Sequence, residues 1–336
     1  MNKIAFLETS DWEKEYLANF PDFIKMADLS SEVLTFNNIS QFKDYEIISS
    51  FINSQFSKEV LDQLPNLKLI ATRSTGFDHI DLNYCREKGI MVSNVPTYGS
   101  HTVAEYTFGL ILCLVRKIYD AYHRVRETGA FDVSGLKGVE LYGKTIGVVG
   151  TGRIGTNVIK IANGLGMKIL AYDKYPNDEL EQQLNFTYVS LEELFKQSDI
   201  ITFHVPYNNE THHLLNKNNI NLIKSGAYVI NTSRGGVIET EALYQALKNK
   251  QIAGAALDVL EEEGSIKDEQ ELLIQKELTN ETLKTTLMNH IFIDLDNVIV
   301  SPHNAFNTEE ALENIVTTTI ENIESYLKGK PINLVQ

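Results

Sequence analysis

Residues 144–156, KTIGVVGTGRIGT, decide the fold of this chain. An apolar run typical of a buried strand leads into Gly150, Gly152 and Gly155, and a helical pattern follows directly. The first glycine permits a tight turn, the second lets the backbone approach a pyrophosphate, and the third lets the helix pack against the strand. Unpaired N–H groups at the start of the helix then face the phosphates. The stretch therefore predicts the phosphate-binding turn of a dinucleotide-binding domain.

Asp173 lies where such a domain places an acidic residue. It ends the next apolar run, KILAYD, eighteen residues after Gly155. A carboxylate here accepts hydrogen bonds from the adenosine ribose hydroxyls and repels a 2′-phosphate, so NAD is favoured over NADP. The Lys174 that follows leaves NADP open as an alternative. A lone GxGxxG often arises by chance in glycine loops, but strand, helix and acid together disfavour that interpretation.

Strand-like and helix-like patterns alternate on both sides of the glycine turn, which predicts parallel α/β structure. Before the turn we predict strands over residues 3–8, 32–38, 45–51, 67–74 and 89–95 and a helix over 58–64. From the turn onwards, six strands (TIGVVG, KILAYD, DIITFHV, AYVINTS, IAGAALDV and NVIVSP) alternate with predicted helices at 154–165, 191–197, 218–223 and 239–249. Six such strands are enough for a complete dinucleotide-binding sheet.

Two longer helices are predicted outside this alternation. Residues 101–128 carry apolar side chains at helical spacing with the basic residues late, which indicates one long helix. Residues 308–328 indicate a final helix that begins with a capping box of Asn307 and Glu310. We expect this last helix to return to the first domain.

Length and charge limit the domain count and the partners. The chain of 336 residues suits two domains, with hinges expected near residues 98–100 and 299–302. The net charge of −15, without a basic stripe, argues against a nucleic-acid partner.

Cysteine usage and hydropathy indicate the compartment. Cys85 and Cys113 lie in no disulfide or metal pattern, which favours a reducing compartment, and we expect a cytoplasmic protein. The start of the chain lacks the long apolar centre of a signal peptide. The longest apolar run, residues 108–115, is far shorter than the roughly 20 residues of a membrane helix, so no membrane partner is expected.

Several ordered blocks, spread over nearly the whole chain, resemble the D-isomer-specific 2-hydroxyacid dehydrogenases. They are ATRSTGFDHIDL, NVPTYGSHTVAE, GVVGTGRIG with AYD, HVPYNNETHHLLN, INTSRGGVIE, GAALDVLEEE and IVSPHNAF. The resemblance implies two Rossmann-like α/β domains. One is a flavodoxin-like substrate domain of residues 1–99 and 301–336, and the other is an NAD-binding domain of residues 100–300 inserted in it. It also implies NAD-dependent interconversion of a small D-2-hydroxy acid and its 2-oxo acid.

Three residues match the catalytic positions of that family. Oxidation of a secondary alcohol by hydride transfer needs a group that takes the hydroxyl proton near neutral pH, and imidazole suits this task. His303 in SPHNAF is the matching acid/base, and Glu263, five residues after Asp258, matches its carboxylate partner. Arg234 in NTSRGG supplies a planar guanidinium that grips a substrate carboxylate and polarises the adjacent carbonyl.

The resemblance also implies residues that bind the cofactor and the substrate. The cofactor residues are Gly150, Gly152, Arg153, Ile154, Gly155, Asp173, His204, Val205, Pro206, Thr232 and Asp258, with His204 and Asp258 beside the nicotinamide. The substrate residues are Ser74, Thr75 and Gly76, whose turn resembles a backbone cradle for the carboxylate, together with Arg234, Tyr98 and Phe306.

Each of these residues also has a plainer interpretation. A strand-end arginine is usually solvated or ion-paired, three consecutive glutamates are often a charged loop, and a histidine after a proline can cap a turn. Tyr98 and Phe306 suit ordinary core packing equally well. We expect no metal, because His212 and His213 on an extended segment would point apart and no third ligand has suitable spacing.

The branch of the family and the partners are less specified. Residues 264–296 replace a short Pro-rich stretch of many relatives, and together with HNAF and Tyr98 they look most like the D-lactate dehydrogenase branch. The alternatives are hydroxypyruvate, glyoxylate or phosphoglycerate dehydrogenases, an NAD-sensing corepressor, and an amino-acid dehydrogenase. The family implies a homodimer formed by the nucleotide domains, with the helix of residues 101–115 as a plausible contributor.

Overall fold

The computed structural model describes residues 3–263 and 280–335. They form two compact units, Met1–Tyr98 with Asn307–Gln336, and Gly99–Phe306. The chain thus leaves the second unit after Phe306, a few residues later than the hinge expected near residues 299–302. The reason is that Asp258 of the second unit binds the backbone of Asn304 and Ala305. Residues 264–279, part of the long segment assigned above to the D-lactate branch, lie outside the described residues.

The first unit is built on a parallel sheet with the strand order β2-β1-β3-β4-β5. Its strands are β1 (Ile4–Phe6), β2 (Ala27–Leu29), β3 (Ile47–Ser50), β4 (Leu69–Thr72) and β5 (Met91–Ser93). This order is that of the flavodoxin-like folds, so the predicted fold class is confirmed for this unit. The carboxyl ends of parallel strands meet at one edge of the sheet, where the turn at Ser74 begins.

Helices cover this sheet, and the last helix of the chain is one of them. They are α1 (Asp11–Leu17), α2 (Pro21–Ile24), α3 (Lys58–Leu61), α4 (Leu82–Lys88) and α12 (Glu309–Leu327). Val316, Ile320 and Ile323 of α12 share a buried cluster with residues of β1. The predicted cap at Asn307 is wrong by one residue, because the Thr308 hydroxyl accepts the N–H of Ala311 and Thr308 is the N-cap.

The strand predicted over residues 32–38 is wrong. The side chain of Asn38 accepts the N–H of Thr35 and donates to the carbonyl of Val33, which closes this segment into a turn. The edge strand is instead β2, which pairs with β1. Its three residues, with the exposed Asp28 in the middle, carry too little apolar pattern to be recognised.

The second unit contains a parallel sheet with the order β12-β11-β10-β9-β6-β7-β8. Its strands are β6 (Thr145–Val149), β7 (Lys168–Tyr172), β8 (Thr187–Tyr188), β9 (Ile200–Phe203), β10 (Tyr228–Asn231), β11 (Gly254–Leu257) and β12 (Val298–Val300). The six predicted strands are present, and β8 was missed because it has two residues. The order is the 3-2-1-4-5-6 arrangement of dinucleotide-binding folds with one strand added beyond β11.

The helix predicted over residues 101–128 is interrupted. Helix α5 (Ser100–Val115) ends before Lys117, which has a left-handed backbone with φ 56°, and α6 (Ile118–His123) and a π-helical turn (Arg124–Thr128) follow. The carbonyl of Val115 accepts the N–H of Val139, so it is not available to continue the helix. Periodicity alone predicted one long helix because it cannot show this non-local hydrogen bond.

Further helices cover the second sheet on both faces. They are α7 (Arg153–Gly164), α8 (Asp178–Leu184), α9 (Leu191–Gln197), α10 (Thr240–Lys248) and α11 (Asn280–Asp294), and the helix predicted at 218–223 is a short 3₁₀ turn, Ile220–Leu222. Two buried apolar clusters lie against the sheet, one containing Phe195, Phe203 and Phe292 and the other containing α5 and Ile159. Over the described residues, no helix combines the length and apolarity needed to cross a membrane.

Candidate active site

The glycine turn after β6 has the geometry that its sequence predicts. Gly150 has φ +96°, which only glycine adopts readily, and a Cβ on Gly155 would lie 1.9 Å from the Gly150 carbonyl oxygen. The N-cap of α7 is Gly152, and a Cβ there would meet nothing within 4 Å. Open space in front of a helix N-terminus fits a pyrophosphate that approaches the backbone.

Asp173, directly after β7, is fixed against this turn. Its Oδ2 accepts the N–H of Thr151 at 2.7 Å and the hydroxyl of Thr151 at 3.0 Å, and its Oδ1 accepts the N–H of Tyr175. Among the described residues, Oδ1 accepts only this one hydrogen bond and so keeps a lone pair for a ribose hydroxyl. The ammonium of Lys174, which kept NADP as an alternative cofactor in the sequence analysis, lies 2.7 Å from Glu210 Oε1. It is therefore paired with a carboxylate.

His204 follows β9 and is a neutral ring. Its Nε2 lies 2.9 Å from the Thr202 hydroxyl, and burial lowers the pKa of His204 to about 3. Its Nδ1 is buried and has no partner among the described residues. An unpaired ring nitrogen beside the glycine turn, which approaches the His204 carbonyl, is consistent with a polar ligand group there. At the next strand, the buried Thr232 hydroxyl lies 2.9 Å from that of Thr107.

Glu263 and His303 form a hydrogen-bonded pair. Nδ1 of His303 lies 2.8 Å from Oε1 of Glu263, although the two residues are 40 positions apart. Burial acts to raise the pKa of Glu263, but the hydrogen bond and charge of His303, the Leu260 N–H and the charge of Arg234 together hold it below its usual value. The carboxylate is therefore ionised and accepts a hydrogen bond from Nδ1–H, which leaves Nε2 as the ring nitrogen available for proton exchange.

Asp258 builds the loop that carries His303. This buried carboxylate accepts the Ser301 hydroxyl at 2.6 Å and the N–H groups of Asn304 and Ala305 at 2.8 and 2.9 Å, and its own carbonyl accepts the His303 N–H. Burial raises the pKa of Asp258, and these hydrogen bonds oppose that rise. His303 has φ 52°, a left-handed conformation that is strained for a histidine. The network around Asp258 holds that strained residue in place.

Arg234 reaches the same region from the end of β10. Asn231 Nδ2 donates to the Arg234 carbonyl at 2.9 Å, and Arg234 Nη1 donates to the Ser233 carbonyl at 2.8 Å. A Cβ on Gly235 would lie 2.1 Å from the carbonyl carbon of Leu260, so only glycine lets the two loops approach this closely. This approach brings the guanidinium charge within range of Glu263.

In the first unit, the turn after β4 is braced by its own side chains. The Ser74 hydroxyl donates to the Gly76 carbonyl at 2.6 Å, the Thr75 hydroxyl donates to the Val95 carbonyl, and Asn94 donates to the Thr75 carbonyl. Within residues 3–263 and 280–335, the Thr75 and Gly76 N–H groups donate to no protein acceptor. The turn thus has two backbone donors for an anion.

The two aromatic candidates differ in their surroundings. The Phe306 ring packs edge-on against the His303 ring, with centroids 6.3 Å apart and an interplanar angle of 77°. Tyr98 is half-buried and is the last residue of its segment of the first unit.

The expectation that the side chains of His212 and His213 point apart on an extended segment is wrong. His212 and His213 lie in a turn, with φ 50° at His213, and their rings stack with centroids 3.8 Å apart instead of pointing apart. His213 Nε2 lies 2.5 Å from Glu261, and sequence reasoning missed this contact between residues 48 positions apart. In the part of the chain that the structure describes, no group of three or more potential ligand residues is arranged to hold a metal ion.

A doubly wound sheet with this glycine turn, an acid directly after the next strand and a histidine–carboxylate pair is the arrangement typical of a dinucleotide-dependent dehydrogenase. Residues 108–305 match the family described as D-isomer specific 2-hydroxyacid dehydrogenase, NAD binding domain. The chain belongs to the D-isomer-specific 2-hydroxyacid dehydrogenase family, and it is an NAD-dependent enzyme of that family.

Relatives with described activities span most of the chain. The chain is 35% identical to D-lactate dehydrogenase of Escherichia coli over 98% of both chains. It is 40% identical to an aromatic 2-oxoacid reductase of Clostridium sporogenes over 85% of both chains. Among solved structures, D-lactate dehydrogenase from Aquifex aeolicus, complexed with NAD and lactic acid, is similar with a TM-score of 0.86 and 36% identity over 98% of this chain and 96% of that one. The resemblance inferred from sequence is thus confirmed for the family.

Proposed function

We propose that this D-2-hydroxyacid dehydrogenase interconverts D-lactate and pyruvate, with Arg234, Glu263 and His303 as its catalytic residues. The observation that carries the proposal is the 2.8 Å contact between Glu263 and His303, with Arg234 beside them. Similarity to two D-lactate dehydrogenases supports this substrate. Similarity to an aromatic 2-oxoacid reductase favours aromatic 2-oxo acids as the second candidate.

His303 is the acid/base in this proposal. NAD held by the glycine turn and Asp173 would supply the hydride acceptor for oxidation of the 2-hydroxy carbon, and NADH the hydride donor for reduction of the 2-oxo carbon. During reduction, His303 Nε2 gives its proton to the substrate oxygen, and during oxidation it takes that proton from the hydroxyl. Glu263, ionised and hydrogen-bonded to Nδ1, stabilises the imidazolium form and keeps the ring in one orientation.

Arg234 and the turn at residues 74–76 bind the substrate carboxylate in this proposal. A guanidinium binds a carboxylate through two parallel hydrogen bonds and also polarises the neighbouring carbonyl. The donor N–H groups of Thr75 and Gly76 suit the same anion. Phe306 is proposed to contact the substrate side chain, because its ring packs against His303. Tyr98 is proposed for the same role on the family resemblance alone.

The cofactor residues are assigned on the same basis. Gly150, Gly152 and Gly155 hold the pyrophosphate on the backbone at the start of α7, and Asp173 holds the adenosine ribose. The other proposed cofactor contacts are Arg153, Ile154, His204, Val205, Pro206, Thr232 and Asp258. The Asp258 carboxylate already accepts three hydrogen bonds, so its main proposed contribution is to hold the His303 loop.

Steady-state oxidation of NADH, followed by absorbance, tests the proposal on a panel of pyruvate, 2-oxobutyrate, glyoxylate, hydroxypyruvate and phenylpyruvate. We expect the highest kcat/KM with pyruvate. A preference for phenylpyruvate would replace D-lactate by an aromatic hydroxy acid, and no turnover of any 2-oxo acid would overturn the proposal.

Variants of the histidine–carboxylate pair test the catalytic roles. His303→Gln is expected to lower kcat by roughly a hundredfold to ten-thousandfold, the range for loss of a general acid/base. Glu263→Gln is also expected to lower kcat. Glu262→Gln is the matched control, since Glu262 is exposed and makes no hydrogen bond or ion pair with a described residue. Wild-type turnover by His303→Gln would remove it from the mechanism.

We also propose that the enzyme is a homodimer. The apolar side chains of α5 pack inside the second unit, so the helix expected to form the interface has little free apolar surface. The segment after it does: Phe131 and Val133 are 95% and 86% exposed, and Tyr119 and Tyr142 are also exposed. This concentration of exposed large apolar side chains within residues 119–142 supports the proposal of an interface here. Light scattering should give twice the chain mass, and Phe131→Glu should shift it to one chain mass; a monomeric wild type would refute this.

A further inference from the structure

Glu261 is the best-anchored carboxylate of the run Glu261–Glu263. Its Oε1 lies 2.5 Å from His213 Nε2, and its Oε2 accepts the Thr240 N–H at 2.8 Å and the Thr240 hydroxyl at 2.5 Å. The side chain is only 15% exposed. Hydrogen bonds to a charged, largely buried carboxylate are among the stronger ones in proteins. Glu261 thus fastens its loop to two other parts of the second unit.

The backbone around Glu261 is fastened as well. Asn289 Nδ2, from α11, donates to the Glu261 carbonyl at 2.7 Å. On the other side, the backbone of Gly235 lies so close that a Cβ there would be 2.3 Å from the Glu261 nitrogen. Glu261 is therefore held through both its side chain and its backbone, two residues before Glu263.

His213 is a rigid anchor for this carboxylate. Its N–H donates to the Gly236 carbonyl at 2.8 Å, and its own carbonyl accepts Asn216 Nδ2 at 2.8 Å. Its ring stacks on His212, whose Nδ1 lies 2.9 Å from the Tyr207 hydroxyl. The ring is thus fixed before it meets Glu261.

Among the residues that the structure describes, no group anchors the backbone of Glu262 or Glu263 in a comparable way. Glu262 is exposed and has φ 54°, a conformation that a glutamate adopts only with support from its surroundings. The Leu260 N–H lies 3.4 Å from Glu263 Oε2, which is a long contact. The position of the Glu263 carboxylate against His303 therefore depends on where Glu261 is fixed.

We infer that Glu261 is a positioning residue of the catalytic pair: bound to His213 and Thr240, it fixes the loop that sets Glu263 against His303. The inference rests on the proposed roles of Glu263 and His303. Misplacement of a catalytic group by about 1 Å can lower the rate by about a hundredfold, so release of Glu261 is expected to lower turnover without affecting the cofactor site.

Matched alanine variants test this inference. For Glu261→Ala we expect kcat with pyruvate to fall between roughly tenfold and a hundredfold, while KM for NADH stays within about twofold of wild type. Glu262→Ala, the neighbouring control, should change neither. Glu261→Gln keeps neutral hydrogen bonds to Thr240 and should recover part of the lost turnover.

The pH profile separates positioning from a purely structural role. The contact with His303 and the charge of Arg234 help to hold the pKa of Glu263 below its usual value, and Asp258 is the other carboxylate that faces the His303 ring. When Glu263 is displaced from His303 its pKa rises, so the acidic limb of kcat/KM for pyruvate should move to higher pH in Glu261→Ala. A merely destabilised enzyme would lose amplitude and keep the wild-type profile.

The outcomes are distinguishable. Wild-type kcat and pH profile in Glu261→Ala, or a loss of activity that only follows the folded fraction, would overturn the inference. If Glu261→Ala does not fold, His213→Asn, which shortens the partner side chain, should show the same shift of the acidic limb, and an unshifted limb there would overturn the inference. His303→Gln tests the underlying function separately: an active His303→Gln enzyme would refute the catalytic pair, whatever Glu261 does.

Discussion

Gly235→Ala is expected to separate the loop of Arg234 from the loop of Glu263. The new Cβ would lie 2.1 Å from the carbonyl carbon of Leu260 and 2.3 Å from the nitrogen of Glu261, both of them backbone atoms. Carbon atoms in ordinary contact are about 3.5–4.0 Å apart, so the two backbones must separate by more than about 1 Å. No side-chain rotation relieves this clash.

The magnitude follows from that displacement. A shift of about 1 Å in the position of a catalytic group costs about a hundredfold in rate, or about 2.7 kcal/mol of transition-state stabilisation. Overpacking of a close contact costs typically about 1–3 kcal/mol of folding free energy in addition. We therefore expect Gly235→Ala to remain folded at 25 °C while kcat/KM for pyruvate falls by about a hundredfold.

Gly164→Ala is the control. Gly164 is an exposed residue of α7, and a Cβ there would meet nothing within 4 Å. Pyruvate reduction by both variants would be compared at equal folded fraction, with NADH binding followed by fluorescence. If Gly235→Ala reduces pyruvate within about threefold of Gly164→Ala, the two loops do not act as one unit.

Three further perturbations test other parts of the site. Arg234→Lys should lower kcat/KM for pyruvate by about tenfold to a hundredfold with KM for NADH unchanged, because a point charge replaces a two-pronged contact, and wild-type kinetics would show that the carboxylate is bound elsewhere. Asp173→Ala should reduce the preference for NADH over NADPH, measured as a ratio of kcat/KM values, whereas an unchanged ratio would contradict the ribose assignment. Burial lowers the pKa of His204 to about 3, below the value of about 6.5 in an unfolded chain. As pH falls below about 6.5, the unfolded state therefore takes up a proton on His204 before the folded state does. The contribution of His204 to the free energy of unfolding is complete above that pH and decreases by up to about 1.4 kcal/mol per pH unit towards pH 4. Urea unfolding of wild type and His204→Gln at pH 7, 5.5 and 4.5 should show a flatter decline in the variant, and equal slopes would contradict a buried neutral ring.

Features that depend on short-range spacing were predictable from the sequence. The glycine turn, Asp173 and the longer strands follow from residues within one βαβ unit, where each residue type has a local reason. The structure gives these residues the backbone geometry that their types imply, such as φ +96° at Gly150.

Features set by non-local contacts were not predictable from periodicity. The helix break at Lys117 depends on a hydrogen bond from Val139 to Val115, and nothing in the local pattern of residues 101–128 announces it. The short strands β2 and β8 are too brief to show a period, although both pair in register with a neighbour.

The glutamate run shows the same limit within the candidate site. Family spacing selected Glu263 but assigned no role to Glu261, because the partner of Glu261 is 48 residues away. The histidine pair was expected to point apart on an extended segment, whereas the left-handed backbone of His213 stacks the rings. Only the folded arrangement shows that Glu261 is bound to His213 and Thr240.

A crystal structure of the enzyme with NAD and oxamate, a non-reducible isostere of pyruvate, tests the central claim most directly. The account predicts the oxamate carboxylate against the Arg234 guanidinium and the oxamate carbonyl oxygen within about 2.6–3.2 Å of His303 Nε2, with Glu263 still bound to Nδ1. Oxamate bound away from Arg234 and His303, or a His303 ring turned away from Glu263 in that complex, would contradict it.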